Sequence, residues 1–211
     1  DADGNLCDTD SSTRVTAKIT STTGRLLGTV TADAVDGIAT FTNLKLAGLV
    51  NTDYTISFTT DAITASPDIA TASNMRVTHG PAAKLVFVGT PAASTKVGET
   101  IPDITVEVQD AYGNAITDND FNADGALTDA AMQINLTSST GAGLTASATV
   151  TAGRAVFENL TMSAIADMYD LTFDSSRALD DEPADAAITS SIEVTPGAPA
   201  ALEITQQPGN V

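Results

Sequence analysis

Short stretches in which hydrophobic and polar residues alternate recur along the whole chain. Strict alternation over about five to seven residues predicts a strand with one buried face and one face toward water. Gly, Asp, Asn and Pro separate these stretches at intervals of roughly ten residues, and the Thr, Val and Ile content favours an extended backbone. The hydrophobic positions of the clearest stretches are Tyr54, Ile56 and Phe58; Ile104, Val106 and Val108; Met132, Ile134 and Leu136; Tyr169, Leu171 and Phe173; and Ile188, Ile192 and Val194.

Helical periodicity is sustained nowhere, and residues 123–131 allow at most one short turn or helix within a loop. About seven short strands in a domain-sized stretch, with turns between them, indicate two antiparallel sheets packed face to face. The sequence therefore predicts an all-β chain built from antiparallel β-sandwiches.

The later part of the chain restates the earlier part at a spacing close to the length of one domain. The motif DADGN at the start of the chain returns as DAYGN, and ATFTNL returns as AVFENL. Four matched segments begin 109, 116, 115 and 117 residues apart: 1–5 with 110–114, 39–44 with 155–160, 54–58 with 169–173, and 77–80 with 194–197. We infer a tandem repeat.

The phase of this repeat predicts three segments. Residues 81–197 form a complete repeat, residues 1–80 hold only the later strands of another, and residues 198–211 restart an opening strand, because 201–208 matches 84–91. Two interpretations remain open at this point. The chain is a window of a longer tandem array, or the last strand of one chain completes the open first sandwich of the next chain, as in strand donation.

Both interpretations predict the same partners, which are neighbouring repeats of the same array or of another subunit in a filament. We call residues 201–208 the assembly strand. Within it, Leu202 and Ile204 alternate with Glu203 and Thr205. We therefore expect Leu202 and Ile204 to be buried by contacts outside residues 1–197.

The segments 84–87, 97–99 and 104–114, together with the later segments 153–160 and 168–173, carry a family resemblance. They resemble bacterial immunoglobulin-like repeats of the invasin/intimin type, over essentially the whole chain and in two copies. The resemblance implies tandem immunoglobulin-like sandwiches in a structural segment of an extracellular, cell-surface fibre, filament, surface layer or adhesin. The alternatives are a glycan- or receptor-binding module and a spacer of a secreted enzyme.

Two tyrosines occupy matching positions, two residues before Ile56 and Leu171. In immunoglobulin domains this is the place of the tyrosine corner, whose hydroxyl bonds to backbone upstream. We expect Tyr54 and Tyr169 to begin their strands and to have this structural role; stacking on a ligand is the alternative. For a glycan-binding module, Tyr112 is the best candidate for an exposed aromatic platform.

Composition excludes several other functions. With 27 Asp and Glu against 9 Lys and Arg, the net charge of −18 repels nucleic-acid phosphates. No apolar run approaches the ~20 residues of a membrane helix, so we expect no membrane insertion in this segment. One His, three Tyr and no Trp leave little with which to bind a sugar ring or to build a catalytic site. We expect no enzymatic activity, no catalytic residue and no cofactor other than calcium.

Calcium is suggested by acidic turns. The first turn has a D-x-D-x-N pattern but lacks the Gly and the bidentate Glu of an EF-hand, and a plain turn stabilised by Asp is the alternative. A second group, Asp118, Asp120, Asp124 and Asp129, crowds one loop. The candidate calcium ligands are Asp1, Asp3, Asn5, Asp8 and Asp10.

Three remaining features are local. Asn135 and Asn159 begin N-x-T sequons and are candidate glycosylation sites. Cys7 is the only cysteine, and we expect a buried free thiol. His79 lies beside Gly80 at the repeat boundary, so we expect a linker residue.

Overall fold

The structure is a computed structural model that describes residues 5–60, 70–118, 120–125, 129–139, 141–179, 187–203 and 205. The chain divides into two compact units. Unit 1 comprises Asp1–Gly80 and Tyr112–Asn114, and unit 2 comprises Pro81–Ala111 and Ala115–Val211. Across the described ranges every regular element is a strand and none is a helix, which confirms the all-β prediction.

The described residues of unit 1 contain seven strands in two sheets. Five of them form one antiparallel sheet in the order β4-β3-β1-β6-β7, and the remaining two pair with each other. The strands are β1 (Arg14–Ile19), β2 (Arg25–Leu27), β3 (Thr31–Val35), β4 (Ile38–Ala39), β5 (Lys45–Ala47), β6 (Tyr54–Thr60) and β7 (Ala70–Met75).

In unit 2 the part that the structure describes contains eight strands in two sheets, with the orders β13-β10-β8 and β12-β11-β14-β15-β9. The strands are β8 (Ala82–Phe87), β9 (Ser94–Lys96), β10 (Ile104–Asp110), β11 (Gln133–Ser138), β12 (Thr145–Thr149), β13 (Arg154–Phe157), β14 (Ala166–Ser175) and β15 (Ile188–Thr195).

Alternation produces the core of unit 2 as predicted. In β10 the hydrophobic residues Ile104, Val106 and Val108 are almost fully buried, while the polar residues between them are half-buried. The two sheets share this core, because the Phe173 ring of one sheet lies 5.3 Å from Phe87 and 5.1 Å from Phe157 of the other. Edge-to-face rings at these separations add to the stabilisation from apolar burial.

One pair of strands departs from the antiparallel prediction. β9 pairs with β15 in parallel, with Val194 opposite Thr95. Between β8 and β9 the chain crosses from the three-stranded sheet to the edge of the five-stranded sheet. It can therefore run beside β15 in the same direction without a helical crossover, which parallel strands of one sheet usually need.

Candidate assembly surface

The hydroxyl of Tyr54 fixes the loop that precedes β6. Tyr54 is buried; its Oη accepts a hydrogen bond from the Leu49 N–H (2.7 Å) and donates one to the Leu49 carbonyl (3.2 Å). A Cβ at Gly24 or Gly48 would overlap the tyrosine, so both neighbours must be glycine. The tyrosine-corner prediction is confirmed at Tyr54.

At the second tyrosine the predicted hydroxyl bond to upstream backbone stays a prediction, and its place in the strand differs from the expected one. Tyr169 is buried, but β14 begins three residues earlier, at Ala166, so the expectation that Tyr169 begins its strand is wrong. The pairing with β15 is irregular between Ala166 and Tyr169.

Two aromatic rings of unit 1 lie side by side, Phe58 in β6 of the large sheet and Phe41 two residues after β4. Phe58 of β6 lies opposite Ala17 of β1, and its ring centroid is 5.3 Å from that of Phe41. Ala17 and Ile56 are buried, but Phe41 and Phe58 remain half-buried. We call the surface formed by Phe41 and Phe58 the open face.

The matching rings of unit 2 are covered. Phe157 is 3 % exposed and Phe173 is 0 % exposed. The strands that cover them are β10, whose Ile104 pairs with Phe157, and β8, whose Phe87 ring contacts Phe173. Sequence reasoning did not single out the open face, although the match of 39–44 with 155–160 contained its signal.

Only residues 201–203 and 205 of the predicted assembly strand are among the described residues. Residues 198–203 are not assigned to a strand, and Leu202 is fully exposed, at 103 % of its reference area. Ile204 lies outside the described residues. The burial of Leu202 and Ile204 against another repeat stays a prediction.

Backbone amides already occupy the carboxylate of Asp10. Its Oδ1 accepts hydrogen bonds from the N–H groups of Ser12 and Thr13, both at 3.0 Å. Hydrogen bonds from Thr13 and Ser12 lower the pKa of Asp10 from 3.8 to about 2. These contacts are those of an Asp-stabilised turn.

The other candidate calcium ligands are only partly visible. Asn5 and Asp8 are exposed, and Asp1 and Asp3 lie outside the described residues. Among the residues that the structure does describe, no group of three or more His, Cys, Asp or Glu side chains is arranged to hold a metal ion. The calcium site of residues 1–10 stays a prediction.

The second acidic group organises its own loop. Asp120 is buried and accepts hydrogen bonds from the N–H groups of Asp124 (3.0 Å) and Gly125 (2.8 Å). Asp129 accepts the Phe121 N–H at 2.9 Å and forms an ion pair with Arg177 at 3.4 Å. These carboxylates therefore close a turn and anchor it to a basic side chain.

A cavity of about 180 Å³ lies beside this loop. The guanidinium of Arg177 lies 5.6 Å from the Phe121 ring and donates a hydrogen bond to the Ala130 carbonyl at 3.1 Å. The Arg177 guanidinium is already engaged by Phe121, Ala130 and Asp129. A ligand of the cavity could bind this guanidinium only by breaking contacts that hold the loop.

The sequon asparagines lie at the surface. Asn135 is an exposed residue of β11, and Asn159 is exposed in a turn with φ of 56°. Both positions are accessible to modification, and glycosylation at either stays a prediction.

Cys7 corrects an expectation from the sequence. The thiol is exposed, not buried. The Cys7 carbonyl accepts the Asp10 N–H at 3.0 Å, so Cys7 belongs to a turn before β1 and not to a strand. His79 is half-buried at the end of unit 1, where its Nδ1 lies 2.9 Å from the Gly80 carbonyl oxygen.

Tyr112, the candidate aromatic platform, is 42 % exposed. The guanidinium of Arg25 lies over its ring, 5.5 Å from the centroid. A cation over the ring occupies one of its faces, so that face is not free to stack on a sugar.

In the described part of the chain, no helix is long and apolar enough to cross a membrane. No protein-family model matches the sequence, and no curated protein matches it either.

Proposed function

We propose that this chain is a non-catalytic structural segment of tandem immunoglobulin-like repeats, from an extracellular fibre, filament, surface layer or adhesin at the cell surface. The observation that carries the proposal is the shared order of four adjacent strands, β3-β1-β6-β7 in unit 1 and β12-β11-β14-β15 in unit 2. Phe58 lies in β6 and Phe173 in β14, the third strand of each series. Phe58 and Phe173 also occupy matching positions of the sequence repeat.

Strand order in unit 2 supports the immunoglobulin-like assignment. The first strand, β8, pairs with β10, which pairs with β13, and β11, β14 and β15 lie side by side in the other sheet. This is the distribution of strands A, B and E against C, F and G in immunoglobulin domains. Unit 1 gives a second observation in support. The Tyr54 hydroxyl bonds to the Leu49 backbone, upstream of β6, which takes the place of strand F.

Unit 1 repeats the later half of this order. Its β3, β1, β6 and β7 are neighbours in the same sequence as β12, β11, β14 and β15. A shared series of four strands in two units of one chain supports a repetitive structural protein.

The first and last parts of unit 2 are joined in a way that resists pulling. Beside the parallel pair of β9 and β15, the Val97 N–H donates to the Thr195 carbonyl (3.0 Å) and the Glu193 N–H donates to the Ala93 carbonyl (2.9 Å). Tension between the start and the end of unit 2 loads these bonds in shear. These bonds must then break together instead of one after another, which raises the force needed to unfold unit 2. Such resistance is useful in a segment that transmits tension.

Single-molecule force spectroscopy tests the structural role. The 211-residue chain is held by its ends, and the unfolding of unit 2 is identified by the release of roughly 400 Å of extended chain. We expect Val97→Pro to lower the unfolding force markedly, because it removes the N–H that bonds to the Thr195 carbonyl beside the β9–β15 pair.

Val106→Ala is the matched control, because it weakens the core of unit 2 but leaves the β9–β15 pair intact. Two outcomes would show that the proposed mechanical role is wrong. One is that both variants lower the unfolding force only in proportion to their loss in free energy of unfolding. The other is that unit 2 unfolds under negligible force.

A further inference from the structure

The five-stranded sheet of unit 2 has an unpaired edge at β12. β12 is the first strand in the order β12-β11-β14-β15-β9, so it pairs with β11 on one side only. At the two ends of this pair, the Val150 N–H donates to the Met132 carbonyl and the Ser138 N–H donates to the Leu144 carbonyl, both at 2.9 Å. Since hydrogen-bonded positions alternate along an antiparallel ladder, every second residue of β12 directs its backbone groups toward β11.

The residues between them direct their backbone groups away from the sheet. These are Thr145, Ser147 and Thr149, and no residue in the described part of the chain bonds to their N–H or C=O groups. Such a row of free donors and acceptors is a template for another strand.

β12 lacks the features that usually protect an edge. Native sheets blunt their edges with charged side chains, Pro, bulges or very short strands. In the described part of unit 2, the other three edge strands each contain a basic residue, Lys84 in β8, Lys96 in β9 and Arg154 in β13. β12 has five residues, Thr-Ala-Ser-Ala-Thr, in unbroken register with β11.

We propose that β12 pairs in antiparallel register with β12 of a second copy of this chain, about a two-fold axis through Ser147. Thr145 of one copy then lies opposite Thr149 of the other, and the two five-stranded sheets become one continuous sheet. The inference rests on the proposed function, to which it adds the contact by which neighbouring fibres join side by side.

The sequence of β12 explains why the partner is a second copy. Thr-Ala-Ser-Ala-Thr reads the same in both directions. An antiparallel partner of the same sequence therefore places Thr opposite Thr, Ala opposite Ala and Ser opposite Ser, and Thr–Thr and Ser pairs stabilise neighbouring strands. Ala146 and Ala148 lie on the core side of β12 and are half-buried, so the added strand removes more of their apolar area from water.

The surroundings of β12 reduce the repulsion between two acidic chains. Residues 130–153 contain no charged residue, although the net charge of the chain is −18. Asp174 lies two strands from β12, because it is opposite Asn135, which is opposite Ser147. In the proposed pair, five strand spacings, about 24 Å, separate the two copies of Asp174. Their repulsion is screened, since the Debye length at physiological ionic strength is about 8 Å.

The length of β12 determines the strength of the contact. Five residues bury a small area, so one pair of chains associates weakly. In a fibre the contact recurs with each repeat that has such an edge, and the linked contacts then hold two fibres together more strongly than one contact does.

Sedimentation equilibrium of the 211-residue chain, up to its solubility limit, tests the proposal. We expect the mean mass to rise with concentration and to level off at that of a dimer, because a two-fold contact occupies the edge of both copies.

Ser147→Lys is the variant that should prevent pairing. It places two like charges opposite each other at the axis, so we expect the association constant to fall at least ~10-fold. Gln133→Lys is the matched control. It adds the same charge and removes the same hydrogen bond, which the Ser147 hydroxyl donates to the Gln133 side-chain oxygen at 2.6 Å.

The control differs from Ser147→Lys in its distance from the axis. Gln133 lies on β11, so its two copies are at least three strand spacings apart, about 14 Å. This separation exceeds the Debye length of about 8 Å. Gln133→Lys should therefore dimerise like the unmodified chain.

Hydrogen exchange of the unmodified chain gives a second measurement. We expect the N–H groups of Thr145, Ser147 and Thr149 to exchange more slowly as the concentration rises. Those of Ala146 and Ala148 bond to β11 and should exchange slowly at every concentration, which also reports that unit 2 is folded in each variant.

Three results would overturn the proposal. The first is a chain that is monomeric at every concentration, and the second is a dimer that both lysine variants weaken equally or leave unchanged. The third is a dimer in which Thr145, Ser147 and Thr149 exchange as fast as in the monomer. None of them affects the force measurement on unit 2, because β9 and β15 lie at the opposite edge of the sheet from β12.

Discussion

Single aromatic residues distinguish the two units. Phe173 contacts two rings from the opposite sheet and is completely buried, whereas Phe58 at the matching position is half-buried beside Phe41. The same side chain therefore stabilises its unit to a different extent, according to what covers it.

Phe157→Ala is expected to destabilise unit 2 by ~3–5 kcal/mol, because it removes a buried ring that packs against Phe173. Urea unfolding of the whole chain, with hydrogen exchange read at β10 and β14, measures the change. Phe41→Ala, the matching substitution in unit 1, should cost less, since Phe41 is half-buried. A cost below ~1 kcal/mol for Phe157→Ala would contradict the packing described above.

Tyr54→Phe removes the hydroxyl that both accepts from and donates to Leu49. We expect a loss of ~0.5–1.5 kcal/mol in unit 1, because the part-buried Leu49 N–H loses its acceptor and the Leu49 carbonyl loses its donor. Exchange rates of β6 amides report this loss. Tyr112→Phe is the control, and equal rates in both variants would mean that the corner hydrogen bonds contribute nothing.

The exposure of Cys7 shows the limit of reasoning from residue type. Free cysteines are among the most buried residues on average. Here the local turn, closed by the Asp10 N–H on the Cys7 carbonyl, decides the direction of the side chain. A sequence pattern that contains no strand alternation gives no information about that direction.

At the scale of the elements, alternation predicted the strands that have one buried face. β6, β10, β14 and β15 lie where their patterns place them, because each inward residue contributes its own apolar area to a core. β9 could not be predicted in the same way. It has three residues, Ser-Thr-Lys, and it is held by pairing with β15 and not by burial of its side chains.

The candidate surface was predictable only in part. The assembly strand, with Leu202 and Ile204, is predicted from alternation within one segment. The open face depends on contacts between residues 15 or more apart in sequence, such as Phe41 with Phe58, and on which strand is an edge. Neither property is encoded in a local pattern.

The pairing of β10 with β13 includes an ion pair that makes stability depend on pH. Burial of Glu107 opposes ionisation, but hydrogen bonds from Gln109 (2.8 Å) and Arg154 (2.9 Å) prevail and lower the pKa of the carboxyl. Because the folded pKa is below the unfolded value, the contribution is fully present above about pH 4.5 and is lost as the pH falls through the folded pKa.

Glu107→Gln is therefore expected to lower the free energy of unfolding by no more than ~1 kcal/mol at pH 7, since Arg154 is largely exposed. The difference from the unmodified chain should shrink as the pH falls below 4.5. Urea unfolding at a series of pH values measures it. A difference that stays constant down to pH 2 would show that the carboxyl is not stabilised by Arg154 and Gln109.

At the scale of the whole molecule, the net charge of −18 makes it necessary to test whether calcium stabilises the folded chain. Bound calcium would raise the melting temperature, and chelation would then lower it by several degrees. Asp10 already accepts two backbone N–H groups, which favours the turn without a metal. We expect chelation at constant ionic strength to leave the melting temperature unchanged. A fall relative to a monovalent-salt control would instead establish that the folded chain binds calcium.

The central claim is that the chain is a repetitive structural segment outside the cell. Electron microscopy of intact source cells, with gold-labelled antibodies against residues 81–197, tests it most directly. The account predicts label on external fibres, filaments or a surface layer, at recurring intervals, without permeabilisation. Label that appears only after the cells are opened, or that is confined to isolated particles with no extended structure, would contradict the claim.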